Sequence, residues 1–430
     1  MSVISEILLD GQDRDLTVGT RRHLRYEWVS GKAFVCIGVR RCGKSTLLDQ
    51  IMHALVEEGV SRQNILYVNF FDDRLDAQRH GQLGDVIEAY YDLYPAKRGR
   101  EKVYCFLDEI QMCEQWEPFV ERLLRAENCE VFLTGSSSRM LSKEIATQMR
   151  GRAVTWELFP FSFREFLDRR SIPYARISSR VGSSIRQGFA AFWECGGFPE
   201  VADMSARLRL MTHQEYFKTI VHRDVVERND AAHPQAVLDL ALRLINQVGS
   251  MYSINSLTGY LKSLGHKTTK TFVGACTAWL EDAYVLFPVK IFHPSLSVQN
   301  ANTRKIYCAD HAMVRSVSSG VLVNAGHLLE NLVFCHLRSM TNRIHYYRTG
   351  KGREVDFIWQ RDGVDWQLVQ VCETLVAPDT RNREIAALQD AMLECKIGEA
   401  TIVTRNEDEK IETAEGIIRV VPVWRYLLTA

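Results

Sequence analysis

Short apolar runs alternate with amphipathic stretches along the first third of the chain. Ala33 to Ile37, Val103 to Leu107, Val131 to Thr134 and Val154 to Leu158 are continuous and short, which predicts buried strands. The first is followed by a glycine-bearing loop and then by Leu47, Leu48 and Ile51 at helical spacing, which predicts strand, loop, helix. Beyond Arg152 the pattern turns helical. Ser162 is placed to cap a helix carrying Phe163, Phe166 and Leu167, with Glu165 as its capping-box partner, and Gly196, Gly197 and Pro199 mark a tight turn. Three helical stretches follow, Val237 to Val248, Ser253 to Leu264 and Thr268 to Glu281, and Val285 to Phe292 reads as a strand pair or wing. The remainder predicts a helix through Leu328, Leu329, Leu332 and Val333, then strands near Ile344 to Tyr347, Val355 to Trp359 and Leu368 to Cys372. A helix near Asn382 to Glu394 and strands at Thr401 to Thr404 and Ile417 to Val423 complete it. The expected class is α/β, with segments 1–158, 159–230, 231–300 and 301–430. At about 150 residues per domain, 430 residues exceed what one core would hold.

Composition narrows the setting. Apolar runs stop after about five residues, far short of the roughly 20 a membrane span needs. Glu6, Asp10, Asp13, Arg14 and Asp15 do not make a signal peptide, so a cytoplasmic protein without membrane contact is expected. Eleven cysteines, an odd number with no Cys-x-x-Cys pair, agree with a reducing compartment. The 53 basic residues balance 53 acidic ones, which argues against indiscriminate coating of a polyanion, yet the balance is not local. Arg139 to Arg186 holds ten Lys/Arg and four Asp/Glu, whereas Glu354 to Glu415 holds six and fifteen. Solvated helix faces are the plain reading of such runs.

The chemistry concentrates after the first strand, at Gly38-Val39-Arg40-Arg41-Cys42-Gly43-Lys44-Ser45-Thr46. In this phosphate-binding pattern the glycines let backbone N–H groups converge on phosphate oxygens at a helix N-terminus. Lys44 would reach the terminal phosphates of ATP and Ser45 would hold Mg²⁺. The Val103 to Leu107 run ends in Asp108-Glu109, giving a carboxylate for the metal and a general base to polarise the attacking water. Thr134 or Ser136, after the next run, either senses the terminal phosphate or belongs to a cap for a helix beginning near Arg139. Arg150 or Arg152 either reaches a neighbouring subunit's phosphate, which requires a homo-oligomer, or is a surface arginine at a helix C-terminus.

These residues resemble AAA+ (P-loop) ATPases of bacteria and archaea in which an N-terminal ATPase domain precedes a conserved C-terminal domain. The likeness extends through Leu107-Asp-Glu-Ile-Gln111 with Trp116, Leu133-Thr-Gly-Ser-Ser-Ser138, Arg150-Gly-Arg152, Leu158-Phe-Pro-Phe-Ser-Phe-Arg-Glu-Phe166, Gly196-Gly-Phe-Pro-Glu200 and Arg223-Asp-Val-Val-Glu-Arg228. It implies ATP binding and hydrolysis, and a helical lid over residues 160–230; Arg223 or Arg228 is a candidate for a phosphate contact from that lid, one among several nearby arginines.

Two later segments extend this expectation. The second and third helical stretches, joined by Gly265-His266-Lys267, read as a winged helix-turn-helix, with Lys262, His266, Lys267 and Lys270 able to neutralise DNA phosphates. The alternative is a spacer kept soluble by its lysines. The last segment resembles restriction-endonuclease-like folds, in which a helix Glu, a strand Asp and an acid-x-Lys on the next strand bind metal. Glu330 and Asp356 fall at the first two positions, but Gln370-Val371-Cys372 stands at the third, so a degenerate nuclease core is expected. Glu373, one residue on, would face the other side of the strand. Three functions therefore compete: an ATP-hydrolysing switch or remodeller, a DNA-binding regulator shaped by ATP, and an ATP-licensed nuclease.

Overall fold

The computed structural model describes residues 2–136, 149, 151–318 and 324–429. They form two compact units, Met1–Phe159 and Pro160–Ala430, the second taking in all the stretches expected beyond the first core.

In the first unit, β1 (Ala33–Ile37), β2 (Ile65–Asn69), β3 (Val103–Asp108), β4 (Cys129–Gly135) and β5 (Ala153–Glu157) make one sheet in the order β2-β3-β4-β1-β5. Every pairing in it is parallel. Such a sheet needs crossovers that cover both faces, which is why β1 and β4 are buried throughout and, apart from Glu130 and Thr134, carry no polar side chain. Phe106 stacks on Phe132 at 4.5 Å, and Phe34 lies 5.6 Å from the same ring. The parallel order brings the C-terminal ends of β1, β3 and β4 to one edge, where open α/β sheets bind ligands.

The segment before β1 wraps the helix Lys44–Glu57. Arg14 pairs with Asp49, and Gln50 Nε2 donates to the carbonyls of Val18 at 2.6 Å and Thr20 at 2.8 Å. Buried Arg22 donates to the carbonyls of Cys42 at 2.7 Å and Phe159 at 2.6 Å.

The second unit begins with helices. Ser162 and Glu165 form the reciprocal capping box of the helix Phe163–Arg169. Gly196 and Gly197 do more than turn the chain. Gly197 N–H donates to Asp310 Oδ2 at 2.6 Å, and a Cβ on Gly196 would stand 2.5 Å from Asp310 Oδ1. Asp310 Oδ1 in turn caps the helix His311–Val317 through the N–H groups of Ala312 and Met313.

Three helices, Pro234–Ile245, Ile254–Ser263 and Lys270–Asp282, adjoin an antiparallel sheet of β6 (Met251–Tyr252), β7 (Leu286–Val289) and β8 (Arg304–Cys308), ordered β6-β8-β7. The strand pair expected within Val285 to Phe292 is thus completed by β8 instead. Pro294, which has no N–H to donate to a ladder, precedes the short helix Leu296–Ala301 that carries the chain round. The final sheet is mixed, with β9 (Ile344–Arg348), β10 (Glu354–Trp359), β11 (Gln367–Val371), β12 (Glu399–Thr404), β13 (Glu409–Thr413) and β14 (Gly416–Pro422) in the order β13-β14-β12-β11-β10-β9. The helix Pro378–Cys395 crosses between β11 and β12, and its Leu388 and Ala391 join Val355, Ile358, Leu368, Ile402 and Ile418 in the core.

Candidate functional site

The loop after β1 closes tightly on the start of the helix Lys44–Glu57. Gly38 has φ 153°, and a Cβ there would fall 2.0 Å from the carbonyl oxygen of Leu158, so no side chain fits. Gly43 takes φ 101° as the helix N-cap and carries no capping side chain, leaving the first turn's N–H groups directed out of the helix. Val39 and Cys42 are buried in the loop, Arg41 and Ser45 are exposed, and Arg40 and Thr46 lie between. Lys44, 4% exposed, turns its ammonium onto the carbonyls of Gly38 and Val39, both at 3.2 Å, with Glu109 Oε1 at 3.9 Å.

At the end of β3, buried Asp108 accepts from Tyr67 OH at 3.1 Å and from the hydroxyls of Thr134 and Ser45. Burial raises its pKa above the ordinary carboxylate value and neighbouring Glu109 adds to this, while those hydrogen bonds oppose the shift. A divalent cation would offset the same burial cost, so the oxygen donors of Ser45 and Asp108 fit Mg²⁺ chemically. Glu109 is in the left-handed region at φ 56°, held there by its N–H donating to Thr134 Oγ1 at 3.0 Å. Its Oε2 accepts from Gln111 Nε2, which also lies 3.5 Å from Ser136 Oγ.

The structure therefore gathers Lys44, Ser45, Asp108, Glu109, Thr134 and, through Gln111, Ser136. It does not bring Arg152 to the loop: the Arg152 carbonyl accepts from Ala33 N–H at 2.7 Å, at the opposite end of β1. Arg150 lies outside the described residues. Tyr67 and Arg22 were not singled out from the sequence, and Gln111 entered only as the end of the Leu107 to Gln111 match, without a role. For Gln111 the signal was its place two residues beyond the acidic pair; Arg22, far from any motif, gave none.

In the second unit, Arg228 is tied to buried Asp224 at 3.5 Å, while Arg223 is exposed. Lys262, Lys267 and Lys270 are exposed around the turn before the helix Lys270–Asp282. His266 does not act with them as a free cation. Its Nε2 meets Asp239 Oδ2 at 2.6 Å, because the helix Pro234–Ile245 packs back on this turn.

Glu330 and Asp356 do come together, around a residue the motif did not contain. Lys305 Nζ lies 2.8 Å from Glu330 Oε1, 2.7 Å from Glu354 Oε1 and 2.8 Å from Asp356 Oδ1. Gln370 Oε1 accepts from Asp356 N–H at 3.0 Å, and its Nε2 donates to Glu384 Oε2 at 2.7 Å. Burial pushes the Cys372 thiol up to about 12. Glu373, expected on the other strand face, instead lines the same cavity, of about 650 Å³, because β11 ends at Val371 and the alternation stops there.

Residues 30–167 match the model of a family described as an AAA domain, which implies nucleotide binding. Residues 186–321 and 325–426 match two further models, each described as a domain of unknown function. The uncharacterized protein MJ1544 of Methanocaldococcus jannaschii is 31% identical over 421 residues, spanning 95% of this chain and 91% of that protein. An uncharacterized protein of Haemophilus influenzae is 28% identical over 326 residues, 75% of this chain and 78% of the other. Among solved structures, the Walker-type ATPase PABY2304 of Pyrococcus abyssi aligns with a TM-score of 0.42 and 14% identity, over 67% of this chain and 91% of that one. The Orc1 protein of Aeropyrum pernix in complex with DNA aligns with a TM-score of 0.34 and 14% identity, over 74% and 90%. Among the described residues no helix is long and apolar enough to cross a membrane.

Proposed function

The chain belongs to the same family as MJ1544 of Methanocaldococcus jannaschii, and on that footing we propose that it is a Mg²⁺-dependent ATPase whose cycle drives a conformational switch or remodelling step. The observation that carries this reading is the convergence of Lys44, Ser45, Asp108 and Glu109 at one edge of a parallel sheet, beside a loop that only glycine can close at Gly38.

Lys44 would exchange the two loop carbonyls for the β- and γ-phosphates of ATP, and the N–H groups from Gly43 onward would hold the phosphate oxygens. Mg²⁺ held by Ser45 and Asp108 would supply charge neutralisation between those phosphates. Glu109 would accept a proton from the attacking water, with Thr134 fixing its backbone and Gln111 its carboxylate. Arg152, and Arg150 with it, would serve only from a neighbouring subunit, which makes the active form a homo-oligomer.

The three helices and the β6-β8-β7 sheet have the element order of a winged helix, and exposed Lys262, Lys267 and Lys270 would give it sequence-independent contact with DNA. The final sheet with its crossing helix supports a restriction-endonuclease-like core without the acid-x-Lys pair.

Equilibrium nucleotide binding and steady-state hydrolysis test the proposal together. Lys44→Ala is expected to lose ATP binding, and Glu109→Gln to bind ATP without turning it over; wild-type hydrolysis in both would overturn it.

A further inference from the structure

The carboxylates at the nuclease-like position already have a cation. Lys305 extends from β8 between Glu330, on the helix Ala325–Arg338, and Glu354 and Asp356, on β10, with its side chain 3% exposed. The three N–O distances, 2.7 to 2.8 Å, are those of charge-assisted hydrogen bonds; a bound Mg²⁺ or Ca²⁺ would draw the oxygens in to roughly 2.0 to 2.6 Å. An ammonium has three donors, and here each meets a different carboxylate.

Several donor atoms have further partners. Asp356 Oδ2 accepts from Val371 N–H at 2.9 Å, and Glu330 Oε1 also accepts from Tyr307 OH at 2.6 Å. The Gln370 side chain is used at both ends, by Asp356 N–H and by Glu384. Among the described residues no group of three or more His, Cys, Asp or Glu is arranged to hold a metal ion. A divalent ion would have to displace Lys305, leaving a buried ammonium without a partner.

We propose that Lys305 is a built-in counter-cation standing where a metal ion would sit, so that this domain works without a divalent metal and its acidic centre instead fastens β8 to β10. Burial, and after it the charge of Asp356, lifts the Glu330 carboxyl to about 7. For Lys305, burial opposes the charged form, but Asp356 and Glu330 outweigh it and hold the ammonium protonated. The cluster thus sets one ammonium against three acids, and deleting that cation leaves the acids without a counter-charge, which a metal ion from solution would then supply in its place. The inference rests on the nuclease-like reading only for what the carboxylates would otherwise hold.

Manganese binding tests it in the full chain, free of nucleotide, with ATP turnover as a check that the first unit is intact. In electron paramagnetic resonance titrations, wild type and Asp356→Asn are expected to leave the same amount of Mn²⁺ free. Mn²⁺ bound by wild type and lost in Asp356→Asn overturns the proposal whether or not the lysine variants fold. If that Mn²⁺ also supports cleavage of DNA, the reading of the domain as a degenerate nuclease falls too; if it does not, only the role of Lys305 falls. In EDTA, Lys305→Met is expected to melt roughly 10 °C lower than wild type. Added Mn²⁺ is expected to restore part of that loss, and not in Lys305→Met combined with Asp356→Asn. A Lys305→Met protein that melts with wild type and ignores Mn²⁺ overturns the proposal.

Discussion

The Gln111 carboxamide donates to Glu109 Oε2 and stands 3.5 Å from Ser136 Oγ, so one side chain joins the end of β4 to the carboxylate that faces the phosphate loop. In its proposed role as general base Glu109 contributes only when aimed at its proton, and its left-handed backbone and its carboxylate are restrained by Thr134 and Gln111. Gln111→Ala is expected to lower kcat for ATP hydrolysis about tenfold while leaving the Kd for ATP unchanged. Steady-state kinetics with a separate binding measurement check the split; a change confined to Kd contradicts the assignment.

Gly197 is packed against backbone. A Cβ there would stand 2.5 Å from the carbonyl oxygen of Phe161 and 3.1 Å from its nitrogen, neither of which can swing aside as a flexible side chain would. Gly197→Ala is expected to destabilise the second unit by about 1 to 3 kcal/mol, read as an earlier urea midpoint, with ATP affinity unchanged.

His336 sets an acid limit on stability. Burial, with the nearby Arg164 charge adding to it, lowers its pKa from 6.5 to about 4, and its Nε2 is buried without a hydrogen-bond partner in the structure. The folded pKa lies below the unfolded one, so this contribution is complete above pH 6.5 and is lost as pH falls from there towards 4. Between pH 7 and pH 5 it removes about 2 kcal/mol. Urea denaturation at the two pH values should show a smaller loss in His336→Phe than in wild type.

If Lys262, Lys267 and Lys270 contact DNA phosphates, binding weakens with salt, and replacing all three by Ala is expected to flatten the plot of log K against log salt by about 2 to 3. Fluorescence anisotropy with duplexes of unrelated sequence checks this. An unchanged slope removes these lysines from any DNA contact.

Four strands of the parallel sheet and the glycine loop were legible because they are local signals, each within a short window, as is the acidic pair; β2, whose Ile65 to Asn69 alternates buried and half-buried positions towards its end, was not read from the sequence. What escaped was set by distance along the chain. Lys305 meets Asp356 across 51 positions and Arg22 meets Phe159 across 137, and no periodicity links them. His266 looked like part of a basic cluster because Asp239 is 27 residues away in sequence while its carboxylate is 2.6 Å away in space. The strand pair near Val285 to Phe292 was misplaced because the partner of β7 follows an inserted helix. Gly196 and Gly197 could be read as a turn, but their partner Asp310, 113 residues beyond Gly197, could not.

The central place of β1 bears on how the protein is made. Its neighbours are β4 and β5, and β4 begins at Cys129, 92 residues beyond Ile37 (129 minus 37). At about 5 to 20 residues per second, a ribosome leaves Ala33 to Ile37 without a partner strand for roughly 5 to 20 seconds. During that time an apolar strand and the loop behind it are open to chaperones and to other nascent chains. A fragment ending between Thr46 and Cys129 carries the whole phosphate loop yet lacks both strands that pair with β1.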